Sequence, residues 1–177
     1  MAQEVYTVTQ ALEKAMKYCA YQERCQLEVR TKLSQFQITN DQKEEVISEL
    51  IQQNFLNEER YSETFARGKF RMKNWGRKKI SLALKQKDIS DYCIKKGLKQ
   101  IDSKEYQQTL FKVLDKAYSK YSGIQNYQRV AKTAKYAISR GFEAHLVWET
   151  LKEFSSANCV EEYSDEGKII AKALCYA

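Results

Sequence analysis

The chain has 177 residues with 43% apolar and 30% charged side chains, six glycines and no proline. That is enough apolar material to bury a core, and the missing proline excludes collagen-like, polyproline and Pro-rich linker architectures. Six glycines are too few for the many tight hairpins of a β-sandwich or barrel, so the composition predicts an all-α protein. The net charge of +7 is unevenly placed: residues 1–59 hold 6 basic and 10 acidic side chains (−4), residues 60–142 hold 21 and 6 (+15), and residues 143–177 hold 3 and 7 (−4). A basic centre between acidic ends suggests an anionic partner, most simply nucleic acid, against the plainer reading of solvated, lysine-dressed helix faces.

Helical periodicity runs nearly from end to end. Leu12, Ala15, Met16 and Cys19 share one face, with Thr9 expected as the N-cap. Cys25, Val29, Leu33 and Phe36 form the next stripe. Thr39-Asn40-Asp41-Gln42 reads as a capping box opening a helix with Val46, Ile47, Leu50 and Ile51 inward. Asn57-Glu58-Glu59 supplies a further N-terminal signature, its acids suited to the helix dipole, ahead of Tyr61, Phe65 and Ala66. From Ser103 to Tyr121 the residues Tyr106, Leu110, Val113, Leu114, Ala117 and Tyr121 hold a helical phase over more than four turns.

A repeat underlies this pattern. Leu84, Ile89, Ile94 and Leu98 are separated by five, five and four residues, and so are Ala137, Phe142, Val147 and Leu151. Leu33, Ile38, Val46 and Leu50 follow with spacings of five, eight and four. Each unit reads as a helix, a turn closed by an apolar residue, and a second helix. Two short helices cannot bury their faces alone, so a third is expected ahead of each pair, near Thr9, Asn57 and Ser103. The expected divisions are 9–56, 57–102 (the basic unit), 103–155, and a tail at 156–177 with a helix from Asp165 to Cys175.

Cys19, Cys25, Cys93, Cys159 and Cys175 form no CxxC pair, and His145 is the one histidine. This fits no zinc site and suggests buried, reduced thiols. With neither a secretory h-region nor an 18-residue apolar run, the chain is expected to be cytoplasmic and not membrane-bound. Phosphate-loop, dinucleotide, zincin and nucleophile-elbow motifs are absent. The carboxylate pairs Glu44-Glu45, Glu58-Glu59 and Glu161-Glu162 suit helix starts or loops. No catalytic residue, metal ligand or cofactor is expected.

The chemistry is expected in the basic stretch Arg67, Lys69, Arg71, Lys73, Arg77, Lys78, Lys79, Lys85 and Lys87, nine cations without a carboxylate between them. Asn74-Trp75-Gly76 should break one helix and open another whose first turn holds Arg77, Lys78 and Lys79. Cations there oppose the helix dipole, and a bound phosphate would reverse the penalty. Trp75 could stack on a base, although packing into the core as a staple is the commoner role. A second, weaker set is Arg129, Lys132, Lys135 and Arg140, either a further phosphate contact or a solvated face. Tyr118, Tyr121, Tyr127 and Tyr136 could also meet partners, with packing as the default.

These residues together resemble the RecX family of bacterial regulatory proteins. The first repeat carries the likeness in Leu27-Glu28-Val29-Arg30-Thr31-Lys32-Leu33 and from Phe55-Leu56-Asn57-Glu58-Glu59-Arg60-Tyr61 to Phe65-Ala66. The second does so in Gly76-Arg77-Lys78-Lys79-Ile80 and Ala83 to Ile89, and the third in Ala137 to Phe142, Val147 and Leu151. Asp88 stands where the family usually has glycine, and Asn57 where aspartate is common. The resemblance covers roughly residues 9 to 155. It implies three tandem three-helix repeats in an elongated, curved array. It also implies a monomeric protein that binds the RecA–DNA filament, touches single- and double-stranded DNA, and restrains ATPase and strand exchange without catalytic residues. The competing readings are a helix-turn-helix protein acting on duplex DNA and a helical scaffold with an incidental basic face.

Overall fold

With no proline to end its helices, the chain turns through residues in the left-handed region. In each repeat the residue before the closing apolar side chain adopts it: Gln37 (φ 51°), Asp88 (φ 57°) and Gly141 (φ 92°). The Ile89 N–H reaches back to the Leu84 carbonyl (3.3 Å) and the Phe142 N–H to that of Ala137 (3.3 Å). The Asp88 and Gly141 N–H groups bond the carbonyls of Lys85 (3.0 Å) and Ile138 (2.8 Å). These are Schellman caps, in which the last turn's apolar residue packs against the one following the left-handed residue. The five-residue spacing in the sequence is therefore the cap's own hydrophobic contact.

A computed structural model describes residues 6–157, with side chains to residue 152. The expected helix Asp165–Cys175, Cys159, Cys175 and Glu161-Glu162 lie outside the described residues. Among those described there are nine helices and no strand: α1 (Val8–Tyr21), α2 (Gln26–Leu33), α3 (Asn40–Gln52), α4 (Glu58–Lys73), α5 (Arg77–Lys85), α6 (Asp91–Lys99), α7 (Ser103–Lys120), α8 (Asn126–Ser139) and α9 (Ala144–Ala157). The fold is three three-helix repeats in tandem, α1–α3, α4–α6 and α7–α9. None of these helices is long and apolar enough to cross a membrane.

The described residues form two compact units, one within residues 6–68 and 81–100, the other within 69–80 and 101–157. In the first, Ala11, Ala15, Cys19, Val29, Leu33, Phe36, Ile38, Val46, Ile47, Leu50 and Leu56 make one core. Here α6 lies close on α4: a Cβ at Gly97 would come within 2.7 Å of the Ser62 carbonyl oxygen. Ion pairs link their rims, Lys96 to Glu59 at 2.7 Å, while Lys87 after α5 meets Glu28 of α2 at 2.6 Å. Glu59 also draws the Lys96 ammonium pKa above its ordinary value. In the second unit α7, α8 and α9 pack together. Its aromatic centre is Phe70, Tyr106 and Phe142, with ring centroids 5.7 and 5.2 Å apart.

Three expectations are corrected. The α1 N-cap is Thr7, whose hydroxyl takes the Gln10 N–H while the Gln10 side chain returns the bond. Thr9 is equally plausible as a residue type, but only Thr7 has a glutamine three residues on. Ile51 points outward, 46% exposed, because Val46, Ile47 and Leu50 already fill the buried arc of α3. Trp75 is no core staple. It sits half-buried with the Lys69 and Lys79 ammoniums 5.4 and 5.0 Å from its ring centroid. The capping box at Thr39 and the N-cap at Asn57, whose side chain takes the Arg60 N–H at 3.0 Å, form as expected. Cys19, Cys25 and Cys93 are buried free thiols.

Candidate nucleic-acid interface

The break expected at Asn74-Trp75-Gly76 is present. Asn74 ends α4 in the left-handed region (φ 50°), and α5 begins at Arg77. The first turn of α5 is nevertheless not an open anion site. The Gly76 N–H donates to the Arg140 carbonyl (2.8 Å), that of Arg77 to the Tyr106 hydroxyl (3.1 Å) and that of Lys78 to the Gly141 carbonyl (3.0 Å). The positive end of α5 thus abuts carbonyls at the negative end of α8. The misplaced cations are compensated inside the protein.

The same neighbours absorb two side-chain charges. Arg77 stacks on Tyr106, with Cζ 4.1 Å from the ring centroid, and lies 3.9 Å from Glu143. Tyr106 donates its own hydroxyl hydrogen bond to Glu143, and burial followed by that carboxylate raises the phenol pKa above its ordinary value. Lys79 reaches the Ser139 carbonyl at 3.4 Å. The expectation that Arg77, Lys78 and Lys79 form one phosphate-seeking trio at a helix N-terminus is overturned for the backbone donors. Of the three side chains, Lys78 is the exposed one.

The nine-cation stretch divides between the units. Arg67, Lys85 and Lys87 belong to the first. There Lys85 pairs with Asp91 (3.1 Å) and Lys87 with Glu28, while Arg67 is exposed on α4. Lys69, Arg71, Lys73, Arg77, Lys78 and Lys79 belong to the second, where Arg71 pairs with Glu105 at 3.3 Å. The bonds from Gly76 and Lys79 bring this turn to the end of α8, and so to the other basic set. Arg129 is spent on Tyr118, 3.6 Å from its ring centroid and 2.8 Å from its carbonyl. Lys132 and Lys135 are exposed on α8, and the Nε of Arg140 is buried without a partner among the described residues.

What remain on the second unit are four exposed lysines, Lys73 and Lys78 at the turn between α4 and α5 and Lys132 and Lys135 on α8, with no ion pair among the described residues. Sequence spacing could not predict which cations stay free, because their neutralising carboxylates come from distant positions such as Glu28, Glu105 and Glu143. Exposed, unpaired cations of this kind attract phosphate.

Comparison with known families places three consecutive domains on the chain. The first three-helix domain of RecX matches residues 11–50, the second 57–98 and the third 104–151. The chain belongs to the RecX family. Regulatory protein RecX of Clostridium perfringens is 32% identical over 117 residues, covering 65% of this chain and 54% of that protein. The chain thus spans about half the length of that relative. Regulatory protein RecX of Prosthecochloris aestuarii is 28% identical over 146 residues, covering 81% of this chain and 92% of its own. The crystal structure of RecX from Lactobacillus salivarius superposes with a TM-score of 0.75 at 25% identity, over 82% of this chain and 95% of that one. The RecX relatives are named as regulatory proteins, and no catalytic activity is indicated.

Proposed function

We propose that this protein modulates homologous recombination in the cytoplasm by binding a RecA-type filament on DNA and restraining its ATPase and strand exchange. The reading is supported by RecX family membership and by one observation above all, the four exposed lysines of the second unit, Lys73, Lys78, Lys132 and Lys135, which have no ion pair among the described residues. Those lysines would meet DNA phosphates, while the acid-rich first 59 residues suit basic protein surfaces of the filament. The test compares binding to single strand, duplex and recombinase filament, with filament ATPase as the functional readout. Filaments should be bound more tightly than either DNA alone, and changing the four lysines to Gln should weaken binding and flatten its salt dependence. Tighter binding to naked duplex than to filament would overturn the reading in favour of a helix-turn-helix DNA binder.

A further inference from the structure

Along α8, Lys132, Tyr136 and Arg140 recur at four-residue intervals, so they form one row with steps of about 6 Å. This row borders the buried side, where Thr133, Ala134 and Ala137 face the core. Tyr136 is 41% exposed, although a tyrosine row at helical spacing would ordinarily be packed. Lys132 is exposed, and no carboxylate pairs with it among the described residues. Arg140 is half-buried, its Nε–H buried without an acceptor among them, so that only the outer end of its guanidinium can meet a ligand. Lys135 is exposed on the adjoining row. A part-exposed aromatic ring thus stands in the row between two cations that no carboxylate pairs with among the described residues.

We infer that this row of α8 is a single-strand-binding strip, in which an unpaired base stacks on Tyr136 while Lys132 and Arg140 hold flanking phosphates. The inference rests on the proposed filament-binding function and names which nucleic-acid state that surface takes. In a duplex the bases are stacked and paired, so the ring of a surface tyrosine has no base face to cover. A single strand offers one at every nucleotide, and stacking tolerates any sequence. Phosphate alone would favour neither state and would leave an exposed tyrosine between the cations without a role.

The test uses the full chain, labelled oligothymidylate, a matched abasic oligonucleotide, a duplex and the recombinase filament, with circular dichroism to confirm folding. Tyr136→Leu keeps apolar bulk but removes the π-face. It should weaken oligothymidylate binding by about 5- to 100-fold, the range for loss of one stacked base. Its binding to the abasic strand and to duplex should stay unchanged. Tyr136→Phe should behave like wild type throughout. Lys132→Gln should weaken every ligand and reduce the single-strand salt slope by about 0.7. If Tyr136→Leu binds oligothymidylate like wild type while the Lys132 change weakens it, the stacking strip is overturned and the filament reading stands. If wild type binds neither filament nor DNA, both fall.

Discussion

Among the glycines of the second unit the tightest site is Gly76, and replacing it by alanine tests the α5–α8 junction. A Cβ there would lie 2.2 Å from Gly141 C, Gly141 O and Phe142 N. All three are backbone atoms fixed by the cap that ends α8, so no side chain can swing aside. Ordinary contact requires a retreat of about 1 Å, which takes the donors of Gly76, Lys78 and Arg77 out of range of the Arg140 and Gly141 carbonyls and the Tyr106 hydroxyl. Each bond contributes about 0.5–1.5 kcal/mol net, and the Gly→Ala change recovers about 0.4–1 kcal/mol through the unfolded chain. The expected loss for the three bonds is about 0.5–4 kcal/mol, centred near 2. Gly68, inside α4, has nothing within 4 Å of its Cβ position, so Gly68→Ala should stabilise by about 0.5–1 kcal/mol through helix propensity. Urea denaturation followed by circular dichroism should move the two midpoints in opposite directions. A Gly76→Ala midpoint indistinguishable from wild type would refute the junction as described.

Asp88 occupies the left-handed position of the second repeat with a side chain, so Asp88→Gly should raise the thermal midpoint by the equivalent of about 1 kcal/mol; a lower midpoint would mean that the aspartate is doing more than capping. Charge reversal of Arg77, Lys78 and Lys79 together should now destabilise the fold, since Arg77 and Lys79 have internal partners, whereas Lys78→Glu alone should leave the denaturation midpoint unchanged and weaken filament binding. Burial pushes the Cys19 thiol up to about 11 and holds the Tyr61 and Tyr106 phenols above their ordinary value. The folded chain keeps these protons where the unfolded chain loses them. The contribution of these three groups should therefore be constant from neutral pH to about pH 8–9 and fall as pH rises beyond it, which denaturation midpoints across that range would check. A double-mutant cycle on Lys87 and Glu28, both about one-quarter exposed, should give a coupling of about 0.5–1 kcal/mol; zero coupling would make the pair incidental.

Periodicity and capping residues by themselves determined the helices, because both act within one or two turns. The Thr39 box, the Asn57 cap, the long stripe from Tyr106 to Ala117 and the five-residue cap spacings are local facts of the chain. They were enough to read three tandem repeats from a sequence without proline. The charge asymmetry likewise pointed to the basic centre. What only the tertiary structure decided is which cations remain available. A lysine's freedom depends on whether a carboxylate, a carbonyl or a ring from a distant segment reaches it, and no spacing rule carries that information. Arg77 looks like a phosphate ligand in the sequence and is instead held by Tyr106 and Glu143. Lys79 is drawn to the last turn of α8, while Lys132 and Lys135, the weaker set by sequence, keep their charges at the surface. The physical reason is range. Helix formation is settled over a few residues, but the electrostatics of a surface depend on every segment the fold brings beside it.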